Sequence, residues 1–170
     1  MSGMDKAKNK AEELQGQGKE TLGRATGRLD AARELVADQR ERLAAVTERV
    51  AGRRRPRVML LEWTDPPFAP GHWIPEMVAI AGGQPMLGTP GEKSRRVTWE
   101  DVHDTEPDVV VLAPCGYDRA GASAQARALE RSGVLPAGVA VHAVDANASW
   151  ARPGTRLVDG VEELADLLHP

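Results

Sequence analysis

The spacing of apolar residues divides the chain into three zones. In residues 1–28 apolar side chains are sparse and glycines recur, so we expect a flexible or weakly helical polar segment without a core. In residues 29–52 a stripe recurs every three or four positions, which predicts an amphipathic helix. The stripe consists of Leu29, Ala32, Val36, Gln39, Leu43, Val46 and Val50. From residue 56 to residue 170, short apolar runs alternate with helical patterns, which predicts one folded domain.

The predicted helix must bury its stripe, either on the following domain or against a second copy in a short coiled coil. Alanine and glutamine in the stripe would make a weak coiled coil, so packing on the domain is favoured. Gly52, the basic run Arg53-Arg54-Arg55 and Pro56 end the helix. We interpret residues 29–55 as a helix with a solvated basic linker, in preference to a nucleic-acid patch.

Strand and helix patterns alternate through residues 56–170. Apolar runs predict strands at residues 57–62, 84–87, 108–113 and 139–144. Helical spacing and capping residues predict helices at residues 75–81, 98–104, 120–132 and 153–168. Strands that are apolar on both faces and alternate with helices are typical of a mostly parallel sheet covered on both sides. The predicted fold class is therefore α/β, a single three-layer α/β/α lobe preceded by a long helix.

Composition narrows the classes of function. The net charge of −3 gives no argument for binding nucleic acid. No apolar run approaches the roughly 20 residues that span a bilayer, so no membrane span is expected. The first residues lack the apolar stretch of a secretory signal, which predicts a cytoplasmic protein. The single cysteine, Cys115, cannot form an internal disulfide.

Aromatic residues gather in the loops that follow the predicted strands. These loops, at residues 62–73, 114–118 and 145–152, hold three of the four tryptophans, the only phenylalanine and the only tyrosine. In open parallel sheets, ligands bind beyond the carboxyl ends of the strands. Aromatic side chains there suit a flat, largely apolar ligand. The alternative is that Trp63, Phe68 and Trp73 pack a small core under a proline-rich loop, and both can hold at once.

Patterns for catalysis are weak. Cys115 has no Cys/His signature around it, and a small buried side chain at a strand end is the favoured interpretation. His72, Glu76 and Asp65 make an incomplete metal set, so no metal and no catalytic residue is assigned. We therefore expect a binding protein and not an enzyme.

Several short motifs in the domain resemble one known family. They are Leu61–Val78, Ala81–Gly83, Arg95–Glu100, Glu106–Val111 and Arg152–Gly160. In order and spacing they resemble the C-terminal lobe of cobalamin or iron-siderophore substrate-binding proteins of ABC transporters, the periplasmic binding protein class. The helix at residues 29–52 resembles the long helix that joins the two lobes in that class.

The resemblance implies a ligand held on one face of the lobe, a corrinoid or a siderophore, with no further cofactor. The residues that it places on this face are Trp63, Asp65, Phe68, His72, Trp73, Trp150 and Arg152. It also implies that Glu100 contacts an ABC permease, although an acid in the first turn of a helix is favoured by the helix dipole alone.

The chain departs from that family in two respects. It contains the pattern of one lobe only, and such a half clamp should bind weakly unless self-association supplies a second wall. Residues 1–28 resemble the CsbD-like stress-response family, a small module rich in Lys, Gly and Glu. The alternative function is therefore a stress-response or interaction protein that carries a remnant lobe without a ligand.

Overall fold

The computed structural model of the protein describes residues 20–22 and 24–170. The expectations for residues 1–19 and 23 lie outside this described part. The helices are α1 (Leu29–Arg49), α2 (Ile74–Ile80), α3 (Trp99–Asp104), α4 (Arg119–Ser132), α5 (Ala146–Ser149) and α6 (Leu157–Leu168). The strands are β1 (Arg57–Leu61), β2 (Trp63–Thr64), β3 (Pro67–Ala69), β4 (Gln84–Pro85), β5 (Arg95–Arg96), β6 (Val109–Leu112) and β7 (Ala140–Ala143).

The main sheet has four strands in the order β4-β1-β6-β7, and every pairing is parallel. The central pair is in register from Val58 opposite Val109 to Leu61 opposite Leu112. Apart from Arg57 at the start of β1, these two strands consist of valine, leucine and methionine, and all of those residues are buried. Such runs avoid water on both sides of a sheet, which is why the chain crosses over through helices between strands. The predicted parallel α/β fold is confirmed.

Helices cover both faces of the main sheet. On one face α1, α2 and α6 pack on Val58, Leu60 and Val111, with Val46, Met77 and Leu164 from the three helices. On the other face α3 and α4 pack on Met59, Leu61 and Leu112, with Val102 and Leu129 from the two helices. Successive strand residues point to opposite faces, so each strand contributes to both cores. The result is the predicted three-layer arrangement.

Helix α1 packs on the domain, as the sequence favoured. Val36, Gln39, Leu43 and Val46 are its buried positions. Arg42 forms ion pairs with Asp159 at 2.6 Å and with Glu162, and Arg49 forms one with Asp166 at 2.6 Å. Because the partners advance together along both helices, α1 and α6 run side by side in the same direction.

The third main strand and the last helix differ from prediction. Strand β7 is an edge strand that is only partly buried, because β6 covers one side of it alone. The final helix begins at Leu157 and not at residue 153. Further upstream, Ala146–Ser149 form the short helix α5. Asp145 caps its first turn by accepting a hydrogen bond from the Ala148 backbone N–H at 2.8 Å.

Residues 62–97 contain a second sheet where the sequence suggested loop. Strands β2, β3 and β5 form an antiparallel sheet in that order. Trp63 lies opposite Phe68, and Phe68 lies opposite Arg96. This small sheet follows the end of β1 and positions Trp63 and Phe68.

Candidate functional site

The candidate site lies where the parallel strands end. Trp63 lies two residues after the end of β1, and Tyr117 lies five residues after the end of β6. Their ring centroids are 5.9 Å apart with an interplanar angle of 54°. Trp63 is 37% exposed and Tyr117 is 38% exposed, unusually high values for large aromatic side chains. We call Trp63, Phe68, His72, Trp73 and Tyr117 the aromatic edge.

The β2–β3 hairpin fixes the orientation of Trp63. The indole N–H of Trp63 donates to the backbone carbonyl of Asp65 at 2.9 Å. The hydroxyl of Thr64 donates to the Gln125 side chain at 3.2 Å, which ties the hairpin to α4. Because its only polar atom is engaged, Trp63 offers a ligand the face of its ring and no hydrogen bond.

A second aromatic pair, His72 and Trp73, lies in the loop after β3, and Trp73 packs against the core that contains Met77. The rings of His72 and Trp73 are 5.7 Å apart, and His72 is exposed while Trp73 is partly buried. The indole N–H of Trp73 donates to the backbone carbonyl of Trp150 at 2.9 Å. This bond links the loop after β3 to the segment after β7, so two of the three strand-end segments meet here.

Trp150 is not on this surface, contrary to the expectation from the family resemblance. It is 1% exposed and belongs to the core cluster that contains Met77 and Val161. Its large ring packs beside Gly160, where helix α6 has no side chain. Trp150 therefore supports Trp73 through its carbonyl and presents no ring to a ligand.

Glu62 holds the loop that carries His72. Its carboxylate accepts hydrogen bonds from the Gly71 backbone N–H at 3.1 Å and from the Ser94 hydroxyl at 2.5 Å. A Cβ on Gly71 would lie 2.2 Å from the Ser94 nitrogen, so only glycine fits at this position. The backbone N–H of His72 donates to the Glu92 carbonyl at 2.6 Å, and His72 has φ of 56°, in the left-handed region. The loop is thereby fixed with the imidazole outward.

The remaining expected residues lie at the surface. Asp65 and Arg152 are exposed, and Phe68 is partly buried on β3. Glu100 is exposed in the first turn of α3, which begins with the predicted capping box of Thr98 and Asp101. Sequence reasoning left Tyr117 and Glu62 out of the site. Both stand just after buried strands, a signal that could have identified them.

Cys115 is exposed, although the sequence suggested a buried position. Neighbouring atoms desolvate its sulfur and, with a smaller contribution from the Glu62 carboxylate, raise the pKa of the thiol. A raised pKa keeps the group as the weakly nucleophilic thiol near neutral pH. This agrees with the interpretation that Cys115 is not a nucleophile.

Two other features bear on function. Within residues 20–22 and 24–170, no three side chains from His, Cys, Asp and Glu converge as metal ligands. In the same part of the chain, no helix is long and apolar enough to cross a membrane.

Comparison with known proteins identifies relatives of this fold. Residues 8–136 match the profile of the periplasmic binding protein family. The fold is similar to a periplasmic binding protein from Veillonella parvula, with a TM-score of 0.76 and 23% identity over 92% of this chain and 56% of that one. No curated protein matches the chain at a significant level.

Two further similar structures belong to proteins named for a cargo or a transport system. One belongs to an ABC-type Fe3+-hydroxamate transport system from Saccharomonospora viridis, with a TM-score of 0.67 and 27% identity over 91% of this chain and 55% of that one. The other is the periplasmic vitamin B12 binding protein of Vibrio cholerae, with a TM-score of 0.66 and 20% identity over 90% of this chain and 59% of that one. The chain thus spans little more than half the length of these relatives. No comparison supports a CsbD-like segment, and the family match begins at residue 8, within that segment.

Proposed function

This chain belongs to the periplasmic binding protein family, whose members are non-catalytic binding proteins, and we propose that its aromatic edge binds a corrinoid or an iron siderophore. The observation that carries the proposal is the exposed Trp63–Tyr117 pair at the carboxyl end of the main sheet. Exposed rings at this position are costly to solvate and add little to the core. They match the flat, partly apolar surface of a large ring or chelate ligand.

Polar groups around the two aromatic groups can orient such a ligand. His72 is exposed beside Trp73, Asp65 is exposed in the β2–β3 turn, and Arg152 is exposed after Trp150. An imidazole, a carboxylate and a guanidinium can hydrogen-bond the amide side chains of a corrinoid or the polar rim of a siderophore. Because the chain provides only one wall, much of the ligand stays in water, and we expect dissociation constants in the micromolar to millimolar range.

The proposal is tested by titrating the full chain with cyanocobalamin, with a ferric hydroxamate and with hemin, using equilibrium dialysis together with tryptophan fluorescence. At least one ligand should bind and quench fluorescence. Replacing Trp63 with Ala should weaken binding about 3- to 10-fold, the value of one aromatic contact of about 0.5–1.5 kcal/mol.

Trp99→Phe is the control, because Trp99 lies on α3, packs against the core of the α3–α4 face and is not part of the aromatic edge. It removes one tryptophan and should leave affinity unchanged. If none of the three ligands binds at near-millimolar concentration, or if both variants lose affinity equally, the aromatic edge is not a site for this class.

Two finer assignments complete the proposal. Glu100, exposed at the start of α3, is proposed as the contact with an ABC permease. The test is a pull-down in which an ABC permease, encoded beside this protein, captures this chain. Glu100→Gln should reduce the amount captured. Cytoplasmic localisation stays a prediction from the sequence.

The alternative function depends on residues 1–28. Their composition resembles the CsbD-like stress-response family, and this would make the lobe a remnant attached to a stress or interaction module. Deleting residues 1–28 distinguishes the two. If the binding proposal holds, ligand affinity survives the deletion. If the alternative holds, no ligand binds, and the deletion removes the protein's effect on survival under stress.

A further inference from the structure

A groove of about 450 Å³ lies between α1 and α2, away from the aromatic edge. One end lies where the parallel strands begin, because Arg53 and Arg55 come just before β1 and Gly82 comes just before β4. The aromatic edge lies where the strands end. The volume falls in the range of roughly 300–1,000 Å³ typical of small-molecule sites.

The walls of the groove are mainly apolar. They are formed by the residues at and just after the end of α1, by the outer face of α2, and by two prolines in and after β4. The apolar lining residues are Val50, Ala51, Ala79, Ile80, Pro85 and Pro90. A lining of this kind favours the hydrocarbon part of a ligand.

Two arginines line the end of the groove near β1 and β4. Arg53 donates to the His169 carbonyl at 3.2 Å, and Arg55 donates to the carbonyls of Gly83 at 2.7 Å and Ala79 at 3.4 Å. These carbonyl bonds hold both guanidinium groups in place. Among the described residues, neither arginine forms an ion pair with a carboxylate, whereas Arg54 between them pairs with Asp108 at 2.7 Å.

A guanidinium has five N–H donors, and carbonyl bonds engage only some of them. Each of the two arginines therefore keeps unused N–H donors and a positive charge at one end of an apolar groove. Glu76 also lines the groove and lies about one helical turn before Ala79 and Ile80 on α2. An anionic group is thus favoured at the arginine end.

We propose that this groove binds a small amphipathic monocarboxylate, with its carboxylate on Arg53 and Arg55 and its hydrocarbon chain along Ala79 and Ile80. The charge of the arginine end and the apolar lining both fit this one ligand class. The site is independent of the aromatic edge and of the ligand proposed there.

The probe is decanoate, compared with decanol, which has the same chain length and no charge. Both are titrated into the full chain, with binding followed by calorimetry and by backbone amide NMR shifts. Decanoate should bind at least about 10-fold more tightly than decanol, because a charge-assisted contact contributes about 1.4 kcal/mol or more. The largest shifts should fall at Ala51, Ala79 and Ile80.

Three variants locate the site. The double change Arg53→Gln with Arg55→Gln should weaken decanoate binding about 10-fold and leave decanol unchanged. Ala51→Phe, at an exposed position on the groove wall, should weaken both ligands by filling the groove. Arg54→Gln is the matched control and should change neither affinity.

Several outcomes overturn the proposal. They are equal binding of decanol and decanoate, equal losses in the Arg54 variant and the double variant, or no binding of decanoate. Shifts confined to Trp63 and Tyr117 would also overturn it, since they would place the ligand at the aromatic edge. Circular dichroism of each variant separates lost binding from lost folding.

Discussion

Replacing Gly160 with alanine tests how closely α6 packs beneath the aromatic edge. Gly160 is the fourth residue of α6 and is buried. A Cβ at this position would lie 2.8 Å from the Ser149 carbonyl oxygen, 2.8 Å from Met77 Cε and 3.2 Å from Trp150 Cε2. The Met77 methyl can move at little cost. The Ser149 oxygen is backbone and can move only if α5 and Trp150 move with it.

Two opposing contributions set the size of the effect. Alanine is favoured over glycine inside a helix by about 1 kcal/mol. Overpacking in a close-packed core costs typically 1–3 kcal/mol. Because one of the contacts is with backbone, we expect the cost to exceed the gain and Gly160→Ala to lower the free energy of unfolding by about 1 kcal/mol.

Urea unfolding followed by tryptophan fluorescence measures this change. With a slope of roughly 1–3 kcal/mol per molar urea, the midpoint should fall by about 0.3–1 M. Gly154→Ala is the control, since no atom lies within 4 Å of its added Cβ, and it should be neutral or slightly stabilising. A Gly160→Ala protein more stable than the original would refute the close packing of α6 against Trp150.

Two further predictions concern the polar ends of elements. Thr98→Ala should lower the free energy of unfolding by about 1 kcal/mol, because the Asp101 backbone N–H loses its capping acceptor, whereas Thr89→Ala on an exposed loop should have little effect. The Arg57 backbone N–H and then Arg54 lower the pKa of Asp108, and a lowered pKa stabilises the fold above the unfolded value of about 3.9. This stability is lost as pH falls through the folded pKa, so Asp108→Asn should be less stable than the original at pH 7, with a gap in urea midpoint that narrows below about pH 4. A gap that stays constant down to pH 2 would contradict this assignment.

The sequence predicted the parts of the fold whose patterns are local and repeated. The buried stripe of α1, the all-apolar β1 and β6, and the capping box at Thr98 each follow from the chemistry of a few neighbouring residues. The β2–β3–β5 sheet was missed because its strands have two or three residues, too few to show a period of two. Such strands form because their pairing partners and the Glu62 hydrogen bonds hold them in place.

The sequence could indicate which loops to consider for the candidate site but not which of their side chains are exposed. The rule that ligands lie beyond the carboxyl ends of parallel strands points to the loops that carry Trp63 and Tyr117. It could not reveal that Trp150 turns into the core, because burial there depends on the space that Gly160 leaves on the next helix, α6. It also could not reveal that Cys115 is exposed, since the tight turn after β6 projects the side chain outward.

The hydrogen bonds of the aromatic edge indicate the kind of selectivity to expect. The indole N–H groups of Trp63 and Trp73 both donate to backbone carbonyls, so these rings supply shape and apolar contact alone. If the aromatic edge binds its proposed ligand, discrimination between ligands must then come from the exposed polar side chains of the same loops, His72, Asp65 and Arg152. Exposed side chains on loops discriminate less sharply than buried polar groups, because water can replace their ligand contacts. We therefore expect the aromatic edge to accept several flat ligands with similar affinities, and a preference above about 100-fold for any one of them would require a second wall.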